Sequence, residues 1–136
     1  MPRIQLLLYR DPGAAEVFFV LRRRDGGYER LAAKVDTGAA VSLLPANLLK
    51  DLDYRLSQRG KIEVLQAGIA RQVFKATEAF VWLFLEDIVG TRSQEVEVRV
   101  WFVETKERLV GFDGILDRAT LFIDTRVSQI GWIELD

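Results

Sequence analysis

The chain contains no histidine and no cysteine among its 136 residues. Ser-His and Cys-His nucleophile pairs, thiolate chemistry and the usual zinc sites need one or both of these residues, so the sequence excludes those reaction classes. Without cysteine the chain also carries no disulfide and gives no indication of an oxidising compartment. Carboxylate chemistry is what remains, and we expect neither a metal nor another cofactor.

The sequence also lacks a strong charge of either sign and a long hydrophobic run. The formal net charge is −1, with acids and bases interspersed, which does not indicate a nucleic acid or an anionic membrane as partner. The longest early apolar run, from Ile4 to Tyr9, is interrupted by Gln5 and is too short for a signal-peptide core or a membrane span. We therefore expect a soluble, cytoplasmic protein that binds neither nucleic acid nor membrane.

Length and hydrophobic patterning together predict one mostly β domain over residues 1–136. Hydrophobic residues make up 49% of the chain, enough for a single core. Short β-branched and aromatic runs alternate with turn residues, and no linker or repeat interrupts them. We expect a closed or strongly curled β-domain with one or two short helices, at 45–52 and 113–119. The predicted strands are 4–9, 16–24, 28–35, 61–66, 71–77, 79–85, 95–103, 121–124 and 130–135.

The most informative segment is 35–45, which puts a carboxylate and a hydroxyl on a glycine turn between two apolar stretches. Asp36, Thr37 and Gly38 are followed by the small Ala39 and then by an apolar run. An Asp in this setting is partly removed from water, where its charge is costly unless a partner shares it. The three residues by themselves would also fit an ordinary turn, because Asp, Thr and Gly are all favoured there.

This segment resembles the active-site loop of the retropepsin-like aspartic proteases, in which an apolar residue and Asp-Thr-Gly or Asp-Ser-Gly precede a small residue and an apolar run. Leu109-Val110-Gly111 is similar to the second motif of that family, two apolar residues and a glycine before a short helix. The resemblance implies a β-barrel of the acid-protease type with Asp36 as the catalytic carboxylate. The residues that would support its loop are Thr37, Gly38 and Ala39, and those that would pack behind it are Leu109, Val110 and Gly111.

The resemblance places the flap, the hairpin that covers substrate in this family, at Ala67, Gly68 and Ile69. An ordinary hairpin tip explains this segment equally well, because family flaps are usually richer in glycine. Phe112 stands where many retroviral members carry an Arg that pairs with an acid just after the catalytic loop, and that acid is also missing here. Asp113 is in a position to cap the second short helix.

Hydrolysis of a peptide bond by carboxylates needs one group to accept a proton from water and another to give a proton to the carbonyl oxygen. The chain has one suitable Asp, because in Asp124-Thr125-Arg126 an arginine replaces the glycine that lets the turn form, which favours a surface turn. The resemblance therefore implies a symmetric homodimer with one Asp36 from each subunit, acting on a peptide or protein substrate. In the family the chain ends interleave across the dimer, and we expect this of residues 4–8 and 132–135.

Two other functions stay open at this point. The same dimeric fold would also serve as a peptide-binding or assembly module whose catalysis is weak or lost, in keeping with the single glycine of the flap and the missing ion pair. Alternatively, the chain is a small ligand-holding β-barrel unrelated to proteases, in which Asp36 only caps a turn. The first alternative keeps the dimer, whereas the second predicts a monomer that tolerates Asp36→Ala.

Overall fold

The computed structural model describes residues 2–10, 13–65, 73–126 and 130–136. These residues are mostly β, with two short 3-10 helices at Ala46–Asp51 and Leu116–Arg118. The strands are β1 (Ile4–Gln5), β2 (Leu7–Arg10), β3 (Gly13–Arg22), β4 (Tyr28–Val35), β5 (Ser42–Pro45), β6 (Tyr54–Leu65), β7 (Val73–Glu86), β8 (Val96–Val103), β9 (Leu109–Val110), β10 (Ala119–Asp124) and β11 (Ile130–Leu135). The prediction of a mostly β fold with one or two short helices is confirmed.

Six of the strands form a ring of hydrogen-bonded neighbours. Their order is β3-β4-β9-β5-β8-β7, and β7 pairs back onto β3. Most pairs are antiparallel, but β4 runs parallel to β9 and β5 runs parallel to β8. Strand β2 extends the ring next to β3, and β6 extends it next to β7. A separate three-stranded sheet has the order β1-β11-β10.

The core follows from period-two alternation of side chains along these strands. On β8 the residues Val96, Val98, Val100 and Phe102 are buried, as the alternating pattern of 95–103 predicts. The three-stranded sheet contributes Ile133 and other side chains to the same hydrophobic cluster. Both sheets therefore share one core, which is what ties the chain ends to the ring.

Several predicted elements differ from the observed ones. The run 4–9 is divided between β1 and β2, because the backbone N–H of Leu6 donates to the carbonyl of Gly131 and the chain then changes sheets. From residue 73 onward, the predicted runs 71–77 and 79–85 form one strand, β7, because the intervening Glu78 is buried with its charge compensated. Both predicted helices are of the 3-10 type and shorter than expected.

The two chain ends, expected to interleave between subunits, pair with each other within this chain. Ile4 lies opposite Ile133 and Gln5 lies opposite Trp132 in an antiparallel ladder. Ile4 and Ile133 are fully buried, so the pairing also completes the core of a single chain. No helix in the described ranges combines the length and the apolar character that crossing a membrane requires.

Candidate active site

Asp36 follows the last residue of β4, where the chain turns away from the ring. Its backbone N–H donates to the carbonyl of Val110 on β9 at 3.0 Å. One carboxylate oxygen, Oδ1, accepts the N–H of Gly38 at 2.8 Å, and the carbonyl of Asp36 accepts the N–H of Ala39 at 3.1 Å. The Asp36 side chain is half-buried, whereas Thr37 and Gly38 are exposed. Backbone hydrogen bonds therefore fix the loop of residues 36–41, the Asp36 loop, and the loop presents the carboxylate and the Thr37 hydroxyl at the surface.

Gly111 packs directly behind this loop. A Cβ atom at Gly111 would lie 2.5 Å from the carbonyl carbon of Val41 and 2.7 Å from the backbone nitrogen of Ser42, so only glycine fits. Beyond it, the N–H of Phe112 donates to the carbonyl of Ala39 at 2.9 Å. Together with the parallel pairing of β4 and β9, these contacts bring the two sequence motifs into one unit.

Ser42 is a residue of this unit that the sequence reasoning missed. Its side chain is fully buried, and its Oγ accepts the N–H of Gly111 at 2.8 Å. This hydrogen bond satisfies a backbone donor that β9 leaves without a strand partner. The available signal was a lone hydroxyl inside an apolar strand, between Val41 and Leu43, since a buried hydroxyl needs a hydrogen-bond partner.

Asp113 does not cap the second 3-10 helix, and that expectation is wrong. The helix has Ile115 at its N-cap position, with no side-chain cap. The Asp113 carboxylate instead accepts the Nε–H of Arg99 at 2.6 Å, because β8 brings a guanidinium alongside it. The backbone N–H of Asp113 donates to the carbonyl of Ala40 at 2.9 Å, so this ion pair lies next to the Asp36 loop.

Glu78 forms a second charged cluster on the ring, on the other side of Arg99. Its carboxylate is 2% exposed and accepts hydrogen bonds from the guanidinium of Arg59 and, at 2.8 Å, from the indole N–H of Trp101. The hydrogen bonds from Arg59 lower the pKa of Glu78 from 4.5 to about 2, against the opposing effect of burial. Both oxygens of this carboxylate are therefore used to hold the structure.

Asp36 has a different environment. In the described part of the chain it takes part in no salt bridge. Asp124, which the sequence assigns to a surface turn, accepts hydrogen bonds from the guanidinium and the backbone N–H of Arg126, and these lower its pKa. Over the same described residues, no group of three or more acidic side chains is placed to hold a metal ion.

Two cavities border the unit formed by the two motifs. One, of about 460 Å³, is lined partly by Leu43, Phe74 and Leu109, which lie on the ring beside the loop. The other, of about 480 Å³, lies between the ring and the three-stranded sheet and includes Thr37 and Ile123 in its wall. The predicted flap residues Ala67, Gly68 and Ile69 fall outside the described residues, between strands β6 and β7 that pair up to Leu65 and Val73.

A scan against protein-family models finds none that matches this chain, and a search of curated proteins finds no match either.

Proposed function

We propose that the chain is a retropepsin-like aspartic endopeptidase that acts as a symmetric homodimer. The observation that carries the proposal is the unit built around Gly111, in which β9 packs backbone to backbone behind the Asp36 loop. A turn that served only to connect β4 and β5 would not need backbone packing so close that a Cβ atom at Gly111 would lie 2.5 Å from Val41. Such packing holds one carboxylate in a fixed position at an open surface, which is what a catalytic group requires.

The chemistry needs two carboxyl groups in different protonation states, and each chain offers one. In the proposed dimer Asp36 of one subunit lies within hydrogen-bond distance of Asp36 of the other, and the two share one proton. The ionised group accepts a proton from water, while the protonated group donates to the carbonyl oxygen of the peptide bond. The pair titrates as a unit, so activity is expected to be bell-shaped in pH.

The remaining residues of the loop would position this pair. The Thr37 hydroxyl is exposed at the surface that would meet the second subunit, where it can donate to the partner loop without taking part in proton transfer. Gly38 holds Oδ1 of Asp36 through its N–H, and within the described residues the other oxygen, Oδ2, accepts no hydrogen bond. The cavity of about 460 Å³ beside Leu43 and Leu109 has both apolar and charged residues in its wall and is large enough for a substrate side chain.

Incubation with a diverse peptide library between mildly acid and neutral pH tests the proposal, with cleavage read by mass spectrometry. General acid-base catalysis contributes about 10²- to 10⁴-fold, so Asp36→Asn is expected to reduce cleavage by at least that factor. Asn can accept the same N–H from Gly38, so the variant should fold and dimerise like the wild type.

Three outcomes separate the candidate functions. Cleavage that is lost in Asp36→Asn supports the endopeptidase. A stable dimer that retains library peptides without cutting them would identify a peptide-binding module instead. Cleavage that persists undiminished in Asp36→Asn would show that it does not depend on Asp36 and would contradict the proposal.

A further inference from the structure

The edges of the two sheets are unequally protected against pairing with another chain. Among the described strands, β1 and β2 are edge strands of two and four residues. Strand β6 is long, but a register shift between Leu56 and Lys61 interrupts it, and it carries the charged side chains of Arg55, Arg59, Lys61 and Glu63. Short length, irregular register and charge are the usual means of blocking an edge.

Strand β10 is protected less than these three strands. It pairs with β11 through all six of its residues without a register shift, and no described strand pairs with its other side. Its centre is Leu121-Phe122-Ile123, in which Phe122 is 44% exposed and Ile123 is 40% exposed. Its single charged residue, Asp124, is already paired with Arg126. A regular, mostly apolar edge whose one charge is already paired is a template for another strand.

The three-stranded sheet also holds this edge firmly. The ring of Phe122 stacks on Trp132 with centroids 5.6 Å apart, and the guanidinium of Arg3 lies 4.1 Å from the centroid of the same indole. These contacts connect β10, β11 and the residue that precedes β1 on the outer face of the sheet. The edge is therefore preorganised, which lowers the cost of ordering it on association.

We propose that β10 pairs antiparallel with β10 of a second copy, so that the two three-stranded sheets become one sheet of six strands. With the two-fold axis at Phe122, Leu121 lies opposite Ile123 of the second copy, and Thr120 lies opposite Asp124 of the second copy. Within β10 no charge faces a like charge in this register, and the same apolar residues meet on both sides, as an isologous contact requires.

The second copy is the occupant because of where β10 lies. Thr37 of the Asp36 loop and Ile123 of β10 line the same cavity, so the edge and the loop border one region of the surface. This inference rests on the proposed function, which needs a second copy in that region. The arrangement differs from the interleaved chain ends of the family, because β1 already pairs with β11 within one chain.

The absence of cysteine from the chain allows a direct test by crosslinking. Directly opposite residues of an antiparallel pair lie about 4.5–5.5 Å apart at Cα, which suits a disulfide. Phe122→Cys is expected to form a covalent dimer under mild oxidation, seen on a non-reducing gel. Val89→Cys is the matched control, because Val89 is 70% exposed and lies away from the edge, between β7 and β8. Cysteines would also be placed one at a time at the other positions from 120 to 123. If none of these variants crosslinked more than Val89→Cys, the proposal would be overturned.

Sedimentation equilibrium of the variant Phe122→Lys, Ile123→Lys gives an independent test. Four lysines would meet across the proposed pair, so the dimer dissociation constant is expected to rise about a hundredfold or more. Val89→Lys should leave it unchanged, and circular dichroism should show that both variants are folded. An edge variant that dimerises like the wild type, and still cleaves peptides through Asp36, would exclude the β10 contact but not the protease. If the wild type is a dimer but never cleaves peptides, and the edge variant is monomeric, the β10 contact is supported and the protease is excluded.

Discussion

Asp36 and Glu78 are two partly or fully buried carboxylates in opposite situations. Glu78 is 2% exposed, and its oxygens accept hydrogen bonds from Arg59 and Trp101. Asp36 is half-buried and accepts one N–H from its own loop, at Gly38. The side chain of Glu78 is fixed by other side chains, whereas the loop of Asp36 is fixed by the backbone of β9.

The difference shows how a fold can keep a carboxylate available for chemistry. A carboxylate that is fully compensated, like Glu78, has a depressed pKa and no free oxygen to offer a substrate. The loop of Asp36 is held from behind by the packing of Gly111 and by the hydrogen bond of Ser42. The Asp36 carboxylate itself is therefore not needed to hold the structure. Changes at the two places should therefore have different signatures in stability and pH dependence.

The largest loss of stability is expected from Gly111→Ala. The new methyl group would overlap the backbone of Val41 at 2.5 Å, and backbone cannot move aside as a flexible side chain can. We expect a loss of about 3 kcal/mol or more in the free energy of unfolding, measured by urea denaturation, together with loss of peptide cleavage. Gly13→Ala is the control, because among the described residues its Cβ would meet nothing closer than 4.0 Å. Equal losses in the free energy of unfolding for the two substitutions would mean that the backbone packing behind the loop is not tight.

A smaller and pH-dependent loss is expected from Glu78→Gln. Because the pKa of Glu78 is lowered from 4.5 to about 2 in the folded state, its ionised form stabilises the protein above pH 4.5. The variant should be about 1–3 kcal/mol less stable near pH 7, since hydrogen bonds to a charged group are lost. The difference should shrink as the pH falls from 4.5 to about 2.

Glu97→Gln is the matched control for Glu78. Glu97 also accepts hydrogen bonds from an arginine, Arg55, but Glu97 is 29% exposed and Arg55 is 62% exposed. An exposed pair contributes about 0–1 kcal/mol, so this variant should change stability little. A difference between wild type and Glu78→Gln that is constant from neutral pH to pH 2 would contradict the role assigned to the Glu78 charge.

The smallest of the three losses is expected from Ser42→Ala. Removal of Oγ leaves the buried N–H of Gly111 without its partner, which should cost about 1–2 kcal/mol in thermal or urea unfolding. Thr105→Ala removes a similar hydrogen bond, to the N–H of Glu107, at an exposed position where water replaces it. If both variants lost the same small amount, the Ser42 hydroxyl would not be holding β9 against the loop.

The strand content and the neighbourhood of the site could be predicted from the sequence for a definite reason. Alternation in the segment 95–103 and the glycines of the hairpin before β4 are local signals, and local signals set strands and turns. The packing of Gly111 behind the Asp36 loop was predicted from the resemblance of the two motifs to a known family. Local patterns could not predict contacts between residues distant in sequence, such as the pairing of β1 with β11 and the ion pair of Asp113 with Arg99. These contacts depend on which strands the fold brings together.

Activity in mixtures of wild type and Asp36→Asn tests the central claim most directly. If each active site needs one Asp36 from each of two chains, an inactive chain removes a wild-type chain from use whenever the two pair. With ten Asp36→Asn chains for each wild-type chain and complete subunit exchange, cleavage per wild-type chain should fall to about a tenth by mass action. Cleavage per wild-type chain that stays constant, whatever the excess of Asp36→Asn, would show that one chain is sufficient and would contradict the account.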